Sequence, residues 1–189
     1  MKKTIRIFSL ALTLSLSLAG FALADVSNGD FEAGSTDWNL VAPPRWTIDV
    51  RPGGNPGEHG YIMSPFGDSA GIACFEQEFD CGVEDPDNPS DCLITLDYYL
   101  HIIDASPGTG RVVIGIDGIT VFVSPPGVDW IDWTTLTFVV PCGRHTLSLC
   151  LEVDPINNGW EAGFDNVIAE CDDSTPTDGS DWSTIKSLY

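Results

Sequence analysis

The sequence has no C-x-x-C pair, no G-x-S-x-G and no H-E-x-x-H, and among its 189 residues it carries only three His and eight Lys and Arg. The missing Cys spacing and the scarcity of His argue against zinc, which takes nitrogen and sulfur ligands at short spacings. The missing motifs remove the best-marked serine and zinc hydrolases. So few cations argue against nucleic acid or an anionic membrane surface as partners, because both need a basic face that releases counterions. Beyond the first 24 residues no apolar run is long enough to span a bilayer. No segment there sustains a helical period either.

What the sequence does have starts with an export signal. Lys2, Lys3 and Arg6 precede an apolar stretch from Ile7 towards Phe21, and Ala22-Leu23-Ala24 supplies small residues for cleavage. Residues 1–24 are therefore expected to be removed, with no membrane insertion afterwards. The destination is extracellular or the cell surface, with the periplasm as the alternative. Cleavage takes away three of the eight cations and none of the 28 Asp and Glu, so the remaining five cations and 28 acids leave a formal charge of −23. Such acidity favours solubility, and in exported proteins it suits calcium, a hard cation that takes carboxylate oxygens. All six Cys (Cys74, Cys81, Cys92, Cys142, Cys150 and Cys171) follow the signal. An even number in an oxidising compartment predicts disulfides. Six Cys allow 15 pairings; Cys81 with Cys92, closing the loop "GVEDPDNPSD", is the preferred single pair.

The middle of the chain reads as short strands. In "RVVIGIDGITVFV", Asp117-Gly118 fits a type I′ hairpin turn, which pairs Ile116 with Ile119, Ile114 with Val121 and Val112 with Val123 on one core face. "LITLDYYLHI" alternates Ile94, Leu96, Tyr98, Leu100 and Ile102 against Thr95, Asp97, Tyr99 and His101. "WTTLTFVV" and "HTLSLCLEV" flank Pro141 to Arg144 as a second hairpin, with Leu136, Phe138, Val140, Leu147, Leu149 and Leu151 on its apolar side. Strands with one buried face each make a two-layer antiparallel β-sandwich, an all-β fold, over residues 25–171. Residues 172–189, an acidic linker "DDSTPTDGSD" ending in "WSTIKSLY", lack the apolar surface to fold alone and are expected to be a disordered tail.

The order of "NGDFE" with a following Trp, "ACFEQEF", the paired strands and a closing "GFDNVIAE" resembles secreted carbohydrate-binding modules of the galactose-binding-domain-like jelly-roll superfamily, over residues 26–171. The resemblance implies that "NGDFE" is a first strand lying near the last one, with Phe31 in the core and Trp38 buried. It also implies a structural calcium held by Glu32 and Asp165, with Asp30 a further ligand. The terminal "WSTIKSLY" is similar to endings of some secreted bacterial proteins, which suggests a sorting or docking peptide. The acids Asp85, Asp87 and Asp91 lack the glycine of a calcium loop and read as a solvated loop.

Sugar recognition needs aromatic faces against pyranose rings and planar polar groups at the rim. The non-core faces and loops supply Tyr99, His101, Asp97, Trp133, Arg111, Trp130 and Trp160 as candidate ligand-binding residues, with Trp46, Tyr61 and Glu152 as further supply. A neutral or basic glycan is the expected partner, since the net charge opposes acidic polysaccharides. An enzyme is disfavoured: among 28 acids some pair always falls at glycosidase separation, and His59, in "NPGEHGY", has no nucleophile near it in sequence. The competing reading is an extracellular interaction domain that binds no sugar, because a fold alone does not assign a function.

Overall fold

The computed structural model describes residues 26–65, 70–82, 91–103, 109–125, 130–154 and 159–171, the last without its side chain. The expected signal segment, the acids Asp85 and Asp87, and the expected tail lie outside the described residues. Ten strands follow in chain order: β1 Asn39–Val41, β2 Thr47–Gly54, β3 Gly57–Met63, β4 Gly71–Asp80, β5 Asp91–Ile102, β6 Gly110–Ile116, β7 Ile119–Val123, β8 Trp130–Pro141, β9 Arg144–Val153 and β10 Trp160–Cys171. They form two five-stranded sheets, A in the order β1-β4-β9-β6-β7 and B in the order β2-β3-β10-β5-β8. Every pairing is antiparallel, so the expected β-sandwich is what the chain builds. No helix occurs among the described residues.

The period-2 pattern sets the core. Ile94, Leu96 and Leu100 of β5 face Leu147, Leu149 and Leu151 of β9 and Ile114 of β6 across the sandwich, all fully buried. Each such side chain contributes about 1.5–3 kcal/mol on leaving water.

Two expectations fail for physical reasons. The first is "NGDFE", which is a turn and not a strand. Asn28 and Phe31 both have positive φ, and the Asn28 side chain binds the Gly34 and Thr36 carbonyls and the Ala33 N–H. The turn drops Phe31 into the core, stacked on Trp38 at 5.0 Å and edge-on to Phe75. It still meets the last strand, because Gly29 accepts the Val167 N–H at 2.9 Å.

The second is the β6–β7 register. Asp117 and Gly118 take the positive φ of a type I′ turn and Ile116 pairs with Ile119, but the register shifts next to Gly115. Ile114 then faces Phe122, whose ring packs on Tyr98 at 5.5 Å. Val121 and Val123 are left exposed. A bulge adds one residue and turns everything after it to the other face.

Cys74 and Cys150 are disulfide-bonded on the outward face of sheet A, where β4 and β9 pair. Cys81, Cys92 and Cys142 are buried in the core. Register sets Cys92 across from Cys171, and the Cys81 N–H donates to Gly143, next to Cys142.

One end of sheet A is clamped by His145. Its Nδ1 lies 2.7 Å from Asp117 Oδ2 and its Nε2 2.8 Å from the Pro141 carbonyl, so both nitrogens face acceptors and the ring is held as an imidazolium. Partial burial works against that charge, but the bonds to Asp117 and Pro141 outweigh it and raise the pKa. A raised folded pKa gives stability that is present below the unfolded value, about 6.5, and is lost as pH rises through the folded value. The melting temperature of the natural protein is therefore expected to fall as pH rises from about 6.5 through the folded value. In His145→Gln that limb should flatten; an unchanged profile would remove the clamp.

Candidate functional site

The outward face of sheet B carries a connected row of polar and aromatic side chains that runs through all five strands. Arg51 (β2) lies over the Tyr61 ring (β3), 3.7 Å from its centroid. The Tyr61 hydroxyl donates to Glu161 Oε2 (β10) at 2.8 Å, and Glu161 Oε1 is 3.2 Å from His101 Nδ1 (β5). His101 stacks on Trp130 (β8), with centroids 3.4 Å apart and planes 10° apart. Burial, then the bond to Glu161, pushes the Tyr61 phenol well above its usual range, so it stays a donor.

Beside this row lies an aromatic box. The Tyr99 hydroxyl meets His59 Nε2 at 3.2 Å, although β10 separates their strands. The reach exists because β10 has no side chain at that level: a Cβ on Gly163 would sit 2.0 Å from the Tyr99 ring. Trp133 stands edge-on to both Tyr99 and His59, at 4.8 and 5.5 Å. Burial pushes the Tyr99 phenol up as well.

A bulge assembles the tryptophans. Tyr98 pairs with Thr134 but Leu100 pairs with Ile131, so β8 has an extra residue opposite Tyr99. Trp130 and Trp133, three apart and on opposite faces by simple alternation, thereby both stand outward. Trp130 is 57% exposed, yet its Nε1 donates to Asp132 Oδ1 at 2.7 Å.

The far end of the face is held by acids. Asp97 accepts from Thr135 Oγ1 at 2.6 Å and from the Asn55 and Asn166 amides at 3.2 and 2.9 Å. Asp165, fully buried, accepts the backbone N–H groups of Asn55 and Asn166. Its burial raises its pKa against those two donors, and the charges of Asp97 and Asp30 add to the rise. Glu32 accepts the Glu58 N–H at 2.8 Å, on the same β2–β3 hairpin. Glu32 and Asp165 thus bring hard oxygens to one hairpin with Asp30 close enough to be felt. Among the described residues no three His, Cys, Asp or Glu side chains gather tightly enough to hold an ion.

Of the residues expected from the sequence, Asp97, Tyr99, His101, Trp130 and Trp133 share this face. Tyr99 is only 7% exposed, so it supports the surface rather than offering a free ring. Trp160 is corrected: it points between the sheets, fully enclosed, with its indole against Gly110. Arg111 is corrected too, because it sits on β6 of sheet A, bound to Glu152 at 2.9 Å. The sequence reading passed over Arg51, Glu161 and Gly163. Only the glycine carried a signal, since Gly inside a strand marks a close approach.

No protein-family model matches the chain, and no curated protein matches it. Several solved structures are similar to it in part or whole. The K3 cleaved adhesin domain of Lys-gingipain from Porphyromonas gingivalis W83 is 12% identical with a TM-score of 0.51, over 77% of this chain and 98% of that one. The enzymatically active domain of bacteriophage CBA120 tailspike protein 4 is 19% identical at 0.47, over 79% of this chain but only 21% of that one. A carbohydrate-binding module specific for non-crystalline cellulose is 14% identical at 0.42, over 77% and 93%. At these identities the likeness shows a fold alone: a β-sandwich like that of the adhesin domain.

Proposed function

We propose that the chain is a secreted, non-catalytic carbohydrate-binding module that takes a neutral or basic glycan on the outward face of sheet B. The observation that carries this reading is Trp130, an indole more than half exposed and yet fixed by the His101 stack and the Asp132 bond. A rigid aromatic face loses little freedom when a sugar ring covers it. Two features support binding without cleavage: Glu161 has both oxygens engaged by Tyr61 and His101, and Asp97 and Asp165 are taken up by amides. Retention on immobilised xylan or amorphous cellulose is expected to fall at least about tenfold in Trp130→Ala, with the melting temperature unchanged. Equal retention by the variant would overturn the reading.

A structural calcium at Glu32 and Asp165, with Asp30, belongs to the same proposal, supported by the two carboxylates that each accept an N–H of the β2–β3 hairpin, at Glu58 and at Asn55. Chelation is then expected to lower the melting temperature, added calcium to restore it, and Glu32→Gln to abolish the difference. A melting curve indifferent to both would remove the ion.

A second reading, an interaction domain, is favoured by the outward face of sheet A. There Val41, Cys74, Cys150, Val113 and Val123 stand in one cross-strand row through all five strands, with Val41, Val123 and nearby Ile72 exposed.

A further inference from the structure

We propose that His59 is a positioning residue that holds Tyr99 and Trp133 in place only while its ring is neutral, so that acid opens the face and releases what it holds. This deepens the glycan reading and rests on it for the word release. His59 is 5% exposed. It is boxed by the rings of Tyr61, Tyr99 and Trp133, with centroids 6.2, 5.5 and 5.5 Å away. The Tyr99 phenol, which burial holds protonated, lies 3.2 Å from Nε2 and donates to it in the tautomer that keeps the ring proton on Nδ1, towards the Arg51 backbone. Nδ1 faces the backbone of Arg51, its register partner, without closing a full hydrogen bond.

The surroundings oppose a charge on this ring. Burial lowers the His59 pKa most; the Arg51 backbone and the Glu161 carboxylate resist, and the Arg51 guanidinium adds to the lowering. Glu161 acts on the ring only through space, since its oxygens bond Tyr61 and His101. Among the remaining neighbours, β8 presents the uncharged Trp133. β5 presents Tyr99 and, further along, Asp97, which with Asp165 of β10 is bonded to Asn55 and Asn166.

A proton on Nε2 turns this bond round, so that the Tyr99 oxygen accepts while its own hydroxyl proton is left without an acceptor, and it leaves a charge without water. The ring regains water only by parting from Trp133, which frees Tyr99 as well. The sign follows from linkage: a depressed histidine gives stability that is present above the unfolded value, about 6.5, and is lost as pH falls through the folded value.

NMR of the sugar-free protein tests this directly. On acidification from about pH 7.5 through the His59 titration, the Tyr99–Trp133 ring contacts should vanish in step with that titration. In His59→Gln, whose side-chain oxygen accepts from Tyr99 and cannot take up a proton, they should persist. Retention on xylan or amorphous cellulose should drop at least about tenfold over the same range in the natural protein and less than about twofold in the variant. Contacts that survive acid in the natural protein, or an acid loss of contacts unchanged in His59→Gln, would overturn the role of His59. If neither polysaccharide is retained at any pH, the glycan reading falls, and the ring contacts still decide the positioning role; should the variant not fold, the natural protein's titration decides alone.

Discussion

Replacing Gly163 by Ala is expected to cost about 3 kcal/mol and to lower the melting temperature by about 10 °C. The added methyl would lie 2.0 Å from Tyr99 Cε1, 2.6 Å from Cδ1 and 2.7 Å from Cζ. No small adjustment clears three ring atoms. Tyr99 is packed by His101 on one side, at 4.4 Å, and by Trp133 on the other. Moving the ring therefore breaks the bond to His59 and disturbs the stack that supports Trp130. The backbone cannot retreat instead, since β10 lies between β3 and β5 and pairs with both. The cost should be specific to that ring: in a Tyr99→Leu background the same Gly163→Ala change should cost under about 1 kcal/mol, a coupling that a double-mutant cycle measures. Equal costs in both backgrounds would mean that the clash is absorbed elsewhere.

The same glycine shows what was legible in the sequence. The inner faces of β5, β8 and β9 follow from alternation alone, because burial of one sheet face imposes a period of two and the residues Ile94 to Ile102 and Leu147 to Leu151 obey it. The type I′ turn at Asp117-Gly118 was equally plain. What alternation does not encode is a bulge, which changes the face of every later residue without a mark in composition. Phe122 and Val121 exchanged faces for that reason, and Trp130 joined Trp133 for the same one. Trp160 was misplaced differently: its aromatic character does not say whether it caps a core or meets a ligand, and the space that Gly110 leaves for it comes from a strand 50 residues earlier in the chain. "NGDFE" was half legible, since Phe31 is in the core and the motif touches the last strand, but the Asn28 side chain binds backbone groups that an extended strand would hold apart.

The disulfide carries the other large expected effect: Cys74→Ala with Cys150→Ala should lower stability by about 4 kcal/mol, the chain-entropy value for a closed loop of this size. The bond links residues 76 apart in sequence. In the folded protein it adds little, because β4 and β9 are already neighbours with ten residue pairs in register from Gly71–Val153 to Asp80–Arg144. Its effect must then come from the unfolded chain, which it keeps from spreading. Two results separate this account from a packing one. The double variant should keep the native near-ultraviolet spectrum, since two Ala beside Val113 leave the inward face of both strands untouched. Reductant added to the natural protein should lower the melting temperature at least as far as the double substitution does. A loss under about 1 kcal/mol would mean that the bond does not hold back the unfolded chain. Domains of this kind have only about 5–15 kcal/mol in total, so a chain made where thiols stay reduced would begin with a large share of that gone. Soluble yield is thus expected to be higher on export to an oxidising compartment than in a reducing one, and equal yields with an intact Cys74–Cys150 bond only in the first would show that the sandwich stands without it.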